Sequence, residues 1–220
     1  MTVELDHAFI MCAADAPEAA VLSRLGLREG SSNTHPGQGT ASRRFFFRNA
    51  YVELLWVRDE REAQSESVQR TRLWQRWSLR GQGACPFGIV LRPAADAHPR
   101  QPPFPTWTYA PSYLPPGLAI EVAVDTPLNE PEFFYLGFQR GRAREGQEPI
   151  AHAIGATEIT HLRIGMPGPG PHSLAARSAA AAGVLSFNAS SEYVLDLTLD
   201  GAVACETADL RPGLPLVMHW

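Results

Sequence analysis

Three side chains stand out for chemistry: His7, Glu53 and His161. Glu53 sits in Tyr51-Val52-Glu53-Leu54-Leu55, a run that reads as a strand. Side chains alternate faces along a strand, so Glu53 shares a face with Tyr51 and Leu55. A carboxylate among apolar neighbours is costly to bury unless it is paired or coordinated. The plain alternative is a solvent-facing Glu, or one paired with Arg44 on the neighbouring strand. His7 lies in Leu5-Asp6-His7-Ala8-Phe9, where strict alternation groups it with Leu5 and Phe9. Ile159-Thr160-His161-Leu162-Arg163 echoes that stretch and repeats the histidine. Two histidines and one carboxylate suit Fe(II), Mn, Ni or Zn, and three protein ligands leave positions open for water or substrate. Such a metal polarises a carbonyl or enolate oxygen, or activates dioxygen, with Glu53 as the candidate catalytic group. A single strand histidine is more often an ordinary core or surface residue. The repeat in register is what favours a metal site.

Four further residues are candidates for substrate binding. Arg163 is two residues from His161, hence on its face, and suits a substrate carboxylate. His35 and Gln38 lie on the loop His35-Pro36-Gly37-Gln38-Gly39, which can cover a cleft or be a plain turn. Trp107 belongs to a Pro-rich segment, 93–116, that also carries Phe104, Tyr109 and Tyr113. Four rings left in water would form an apolar patch of a kind soluble chains avoid, so an ordered loop or lid against the sheet is expected. No serine nucleophile elbow is present, and no cysteine has a histidine close by in sequence. The three cysteines, Cys12, Cys85 and Cys205, are far apart and odd in number, which fits a reducing compartment better than a disulfide framework.

The elements that must position these residues follow from periodicity and turn chemistry. Val3 to Met11 reads as a strand. Asp15-Ala16-Pro17-Glu18 reads as a helix start capped by Asp15, with Gly26 ending the helix. A short strand within 27–33 precedes two runs, 43–48 and 51–57, joined at Asn49-Ala50 like a hairpin. Residues 59–80 lack Gly and Pro and carry Val68, Leu73, Trp74 and Trp77, the stripe of one helix docked on a sheet. Strands are expected over 87–91 and 118–124. A second cycle follows: strand 159–166, an Ala-rich helix 173–182 stopping at Gly183, strands over 184–188 and 193–199, a turn at Asp200-Gly201, and a last strand within 214–220.

Composition narrows the class. The chain has 220 residues, 45% hydrophobic and 19% charged, which is globular. Nineteen basic against 23 acidic residues give a net charge of −4, which provides no footprint for nucleic acid and no polybasic membrane patch. No run approaches the roughly 20 apolar residues of a membrane span, and the opening MTVELDHAFIM lacks the pattern of a secretory leader. A soluble, cytoplasmic protein with a small-molecule ligand is expected.

The stretches LDHAFI, THPGQGT with RRFFFRNAYVELLWV, and THLRIGM resemble the glyoxalase-like branch of the vicinal-oxygen-chelate superfamily. The resemblance is firm over 1–57 and looser from 157 onward. It implies an α+β fold in which paired βαβββ modules form a cupped mixed sheet. The expected division is a first module at 1–57, a helix, Pro-rich loop and connecting strands at 58–156, and a second module at 157–220. It also implies a divalent metal in the cleft held by His7, Glu53 and His161. A fourth ligand is either Glu206, at a spacing from His161 close to that between His7 and Glu53, or absent, because a final strand LPLVMHW offers no Glu and leaves a three-ligand or metal-free site. The family's activities range from lyases and isomerases to dioxygenases and to proteins that only sequester a ligand. Two readings follow: a metal-dependent enzyme of lyase, isomerase or dioxygenase type on a small oxygenated substrate, or a non-catalytic binding protein. Members of this fold often pair modules between chains, and with the Trp74/Trp77 helix this gives an expected homodimer.

Overall fold

The structure, a computed structural model, describes residues 2–98, 101–139, 148–200 and 206–220. Cys205 and Gly201 lie outside the described residues, as do residues 99 and 100 of the Pro-rich segment.

Strand β1 (Val3–Met11) leads into helix α1 (Ala19–Leu25) and strands β2 (Asn33–His35), β3 (Thr40–Phe46) and β4 (Tyr51–Val57). Helix α1 begins later than expected, with Glu18 rather than Asp15 at its N-cap, and ends on Gly26 at φ 104°. That left-handed turn sends the Gly26 N–H back to the Leu22 and Ser23 carbonyls, and a side chain there would be strained. The stretch 59–80 is three short helices, α2 (Glu60–Ala63), α3 (Glu66–Gln69) and α4 (Leu73–Ser78), not one. Ser65 is extended (ψ 155°) and Arg72 is left-handed (φ 60°), and each breaks the helical hydrogen-bond ladder. Trp77 on α4 stacks loosely on Trp74 and donates its indole N–H to the Cys12 carbonyl, 2.8 Å away. Trp77 therefore finds a partner within the chain.

Strands β5 (Phe87–Pro93), β6 (Thr106–Tyr109), β7 (Ile120–Ala123) and β8 (Glu132–Tyr135) complete an eight-stranded sheet in the order β2-β3-β4-β1-β5-β8-β7-β6. β1 runs antiparallel to β5 at its centre and parallel to β4, just as β5 runs parallel to β8. The sheet thus has two matching halves, and the half that pairs with residues 1–57 is 87–135 rather than 157–220. In this second half the Pro-rich segment stands where the first has a helix. Residues 159–219 form a separate five-stranded sheet from β9 (Ile159–Met166), β10 (Ser186–Ala189), β11 (Val194–Leu199), β12 (Thr207–Asp209) and β13 (Leu216–His219), ordered β10-β9-β11-β13-β12. Helix α5 (Leu174–Ala181) is capped by the Ser173 hydroxyl, and the Glu130 carboxylate accepts the His172 and Ser173 N–H groups just ahead of it.

One core joins the two sheets. Ala8, Ile10, Val52, Leu54, Ile89, Leu91 and Phe133 from one face of the large sheet cluster with Leu162, Ile164, Leu195 and Leu197 of the small one, with α1 and α5 contributing Leu22 and Ala176. A second, smaller cluster lies on the other face of the large sheet, with Phe9, Leu55, Val90, Phe134 and Leu136.

Arg76 of α4 is fully buried and donates to the carbonyls of Cys85 and Leu128, each at 3.3 Å, and of Glu130 at 2.5 Å, while its Nη2 meets Glu132 Oε2 at 3.0 Å. It ties α4 to the entries of β5 and β8. Replacing Arg76 with Met leaves the Glu132 carboxylate and several carbonyls buried without their donor. The expected loss is about 3–5 kcal/mol of unfolding free energy by urea titration. A second expectation concerns pH. His152 accepts from the Arg28 N–H through Nδ1 (3.0 Å) and hydrogen-bonds the Phe46 carbonyl through Nε2 (2.8 Å), which requires the neutral ring. Burial lowers its pKa from the ordinary 6.5. As pH falls through that value the unfolded chain takes up the proton first, so stability is full above it and declines below. The melting temperature should drop by a few degrees on mild acidification, and more shallowly in His152→Gln. Scanning fluorimetry across pH tests this.

Candidate functional site

The second face of the large sheet carries a cleft of about 230 Å³. Its first-half wall presents His7, Glu53, Tyr51, Arg44, His35 and Gln38; its second-half wall presents Val90, Ile120, Phe134 and Leu136. Tyr113 and Leu114 of the Pro-rich segment reach the same space.

His7 reaches the cleft by a route that strict alternation misses. Leu5 pairs with Leu91 and His7 with Val90, so Asp6 is an extra, bulged residue. The bulge changes the parity of the strand: Leu5 packs toward the main core, while His7 and Phe9 face the cleft. Asp6 stays buried and satisfied. Its Oδ1 is 2.7 Å from His7 Nδ1, and its Oδ2 is 3.1 Å from Arg92 Nη1. A carboxylate can only accept, so the proton sits on Nδ1 of His7 and Nε2 is left to face Glu53 Oε2 at 3.5 Å. The His7 ring also lies flat on Tyr51, with centroids 4.2 Å apart. Glu53 is buried, and it meets His7 rather than Arg44, although Arg44 is its direct neighbour across β3 and β4.

The loop histidine is also placed. Asn33 Nδ2 donates to His35 Nε2 (2.9 Å), and His35 Nδ1 in turn contacts Thr40 Oγ1 (2.9 Å). Gln38 donates to the same hydroxyl (2.7 Å) and accepts from the Tyr113 phenol (3.2 Å). The Tyr113 ring packs against His35 with centroids 4.9 Å apart. This network fastens the Pro-rich segment across the cleft. Burial lowers the His35 pKa, with Arg44 and His7 pushing the same way and Glu53 opposing. Burial likewise raises the Tyr113 phenol, and lifts Tyr109 to about 12.

The other expected residues do not join this site. His161 is exposed on β9 of the small sheet, with Nε2 2.9 Å from Ser186 Oγ, and Arg163 is exposed on the same strand. Neither lines the cleft. Trp107 packs beside the apolar cluster under the Arg70 guanidinium, 4.4 Å from its ring centroid, and Tyr109 and Tyr113 line the cleft instead. Glu206 is exposed and contributes its backbone to Trp220. The register shows why no fuller donor set forms. His7 stands beside Tyr51 as Val90 stands beside Phe134, so the second-half counterparts of His7 and Glu53 are Val90 and Leu136. Among the described residues no three His, Cys, Asp or Glu side chains could hold one metal ion.

Residues 5–181 match the family model of a glyoxalase-like domain. The chain belongs to that family. No curated protein matches it. Among solved structures, the crystal structure of a hypothetical protein from Staphylococcus aureus is similar, with a TM-score of 0.52 and 10% identity, covering 99% of this chain and 98% of that one. At that identity the likeness speaks for the fold alone. No helix among the described residues is long and apolar enough to cross a membrane.

The metal expected from the resemblance fails the test of donor chemistry. A catalytic ion is usually held by three protein ligands, and here His7 and Glu53 face apolar side chains where the others would stand. Protein purified without a histidine tag should hold well under one equivalent of Fe, Mn, Ni or Zn by mass spectrometry. Chelator should leave its melting temperature unchanged. A stoichiometric ion lost together with several degrees of stability would restore the metal site.

Proposed function

We propose that this glyoxalase-like chain is an enzyme of lyase or isomerase type, in which Glu53 and His7 move a proton on a small oxygenated substrate. The observation that carries the reading is the His7–Glu53 pair, 3.5 Å apart at the base of the cleft, with His7 held in one tautomer by Asp6. In this reading Glu53 takes a proton from a carbon next to a carbonyl. His7 keeps its Nδ1 proton on Asp6, so its open Nε2 takes up the proton that Glu53 removes from carbon and passes it to the developing enolate oxygen. Return of the proton to the neighbouring carbon gives an isomer, and departure of a β-substituent gives a lyase product. The donor set offers less support for dioxygenase chemistry, which draws on a metal. A non-catalytic binding protein is the second reading, and the wall of Val90, Phe134 and Leu136 favours it.

Proton NMR in D₂O separates the two. Wild-type protein should exchange the α-protons of at least one compound in a panel of 2-oxo acids, hydroxyketones and aldehydes. Glu53→Gln should slow that exchange by about 10²–10⁴-fold. Binding without exchange of any bound compound would leave only the sequestering protein.

A further inference from the structure

Among the described residues the fixed positive charge on the cleft wall is Arg44, and nothing in the proton-transfer reading uses it. It stands directly across from Glu53 in the β3–β4 register, one strand spacing away, yet forms no ion pair with it. Glu53 turns to His7. The Arg44 guanidinium instead lies over the Phe46 ring, 5.1 Å from its centroid, and near Tyr51 at 5.9 Å. Its Nε donates to the Ser31 carbonyl (2.8 Å), and its Nη2 to the Ser31 hydroxyl (2.6 Å) and more weakly to the Ser32 carbonyl (3.4 Å). Those acceptors are neutral. Glu148 reaches Arg44 only through Ser31, whose N–H and hydroxyl both donate to it. Among the described residues no carboxylate pairs with Arg44, and its Nη1 has no hydrogen-bond partner.

We propose that Arg44 is the anion receptor of the cleft and that the ligand is a carboxylate bearing an apolar group. This deepens the proton-transfer reading by naming a substrate class, and it rests on the same cleft. Aromatic rings on one side and serine oxygens on the other hold the guanidinium in a single pose, so little side-chain freedom is lost when an anion arrives. A carboxylate seated on the Arg44 guanidinium lies one strand from Glu53, which brings the carbon next to it within reach of the His7–Glu53 pair. The remainder of such a molecule then meets Val90, Phe134 and Leu136, the apolar stretch of the second-half wall. The class is therefore an aryl- or alkyl-substituted oxo or hydroxy acid. Small acids without an apolar group leave that wall unfilled, and neutral ketones leave Arg44 unpaired.

Calorimetric titration with inert probes tests the inference apart from any turnover. 3-Phenylpropionate should bind wild-type protein about tenfold tighter than 3-phenylpropanamide, as expected for a hydrogen bond to a charged group, and tighter than acetate. Arg44→Gln should erase the preference for the acid over the amide and leave amide affinity unchanged. Arg44→Lys should keep part of the preference and covers the case in which the Gln variant folds poorly. Arg163→Gln, on the far sheet, should keep all of it. Equal affinity for acid and amide in wild-type protein, a preference that survives Arg44→Gln, or no saturable binding of either probe would each overturn the anion receptor. Failure of the exchange experiment with an intact, Arg44-dependent preference would remove the proton chemistry and leave the receptor standing.

Discussion

The buried pairing of Asp6 with Arg92 is the interaction on which the rest of the site depends. A carboxylate at the centre of a sheet is stable only with its charge met, and Arg92 meets it from the neighbouring strand at 3.1 Å. That pairing lets β1 carry an extra residue at Asp6, and the bulge turns His7 toward the cleft while Val3 and Leu5 stay in the core. The same Arg92 donates to the Asn49 carbonyl at the β3–β4 turn. Asn49 in turn exchanges two hydrogen bonds with Ile159 at the start of the small sheet. One guanidinium thus connects the tautomer of His7, the closure of the β3–β4 hairpin and the docking of the two sheets.

The cleft that results is chemically lopsided. Its two walls come from halves with the same strand pairing, but one wall presents His7 and Glu53 where the other presents Val90 and Leu136. A symmetric donor set would converge on an ion. A one-sided set instead fixes the direction in which a molecule can lie, oxygen atoms toward β1 and β4 and carbon toward β5 and β8. Apolar surroundings also lower the local dielectric, so the few charges present act on a ligand more strongly than they would in water.

Period-two alternation made Glu53 legible, because β4 is regular and buried along its whole length. It also placed His7 on the right strand, but the bulge that aims it has no local signature beyond two polar residues, Asp6 and His7, side by side in the otherwise apolar run LDHAFIM. The resemblance of THLRIG to LDHAFI was informative about position and misleading about partner. β9 lies antiparallel to one neighbour and parallel to another, as β1 does, but inside the separate five-stranded sheet, next to its edge strand β10. Local sequence specifies an interior strand flanked on both sides and cannot say which sheet will hold it. The true second half went unrecognised because its helix is replaced by prolines and β6 and β8 are only four residues each. Trp107 drew attention by size, whereas the cleft took Tyr109 and Tyr113, whose burial depends on how the segment crosses the sheet.

His35 completes the electrostatic logic of the cleft. An amide nitrogen can only donate, so the Asn33 contact requires a lone pair on His35 Nε2 and leaves the ring proton on Nδ1, toward Thr40. The ring is therefore held neutral by geometry, and burial disfavours its charged form in the same direction. A charged His35 would compete with Arg44 for an anion and would break the hydrogen bonds that hold Gln38 and Tyr113. Kept neutral, it serves as a rigid polar strut for the Pro-rich segment and leaves Arg44 as the fixed cation of the wall among the described residues. The segment that closes the cleft and the charge that selects its ligand thus depend on one histidine staying unprotonated.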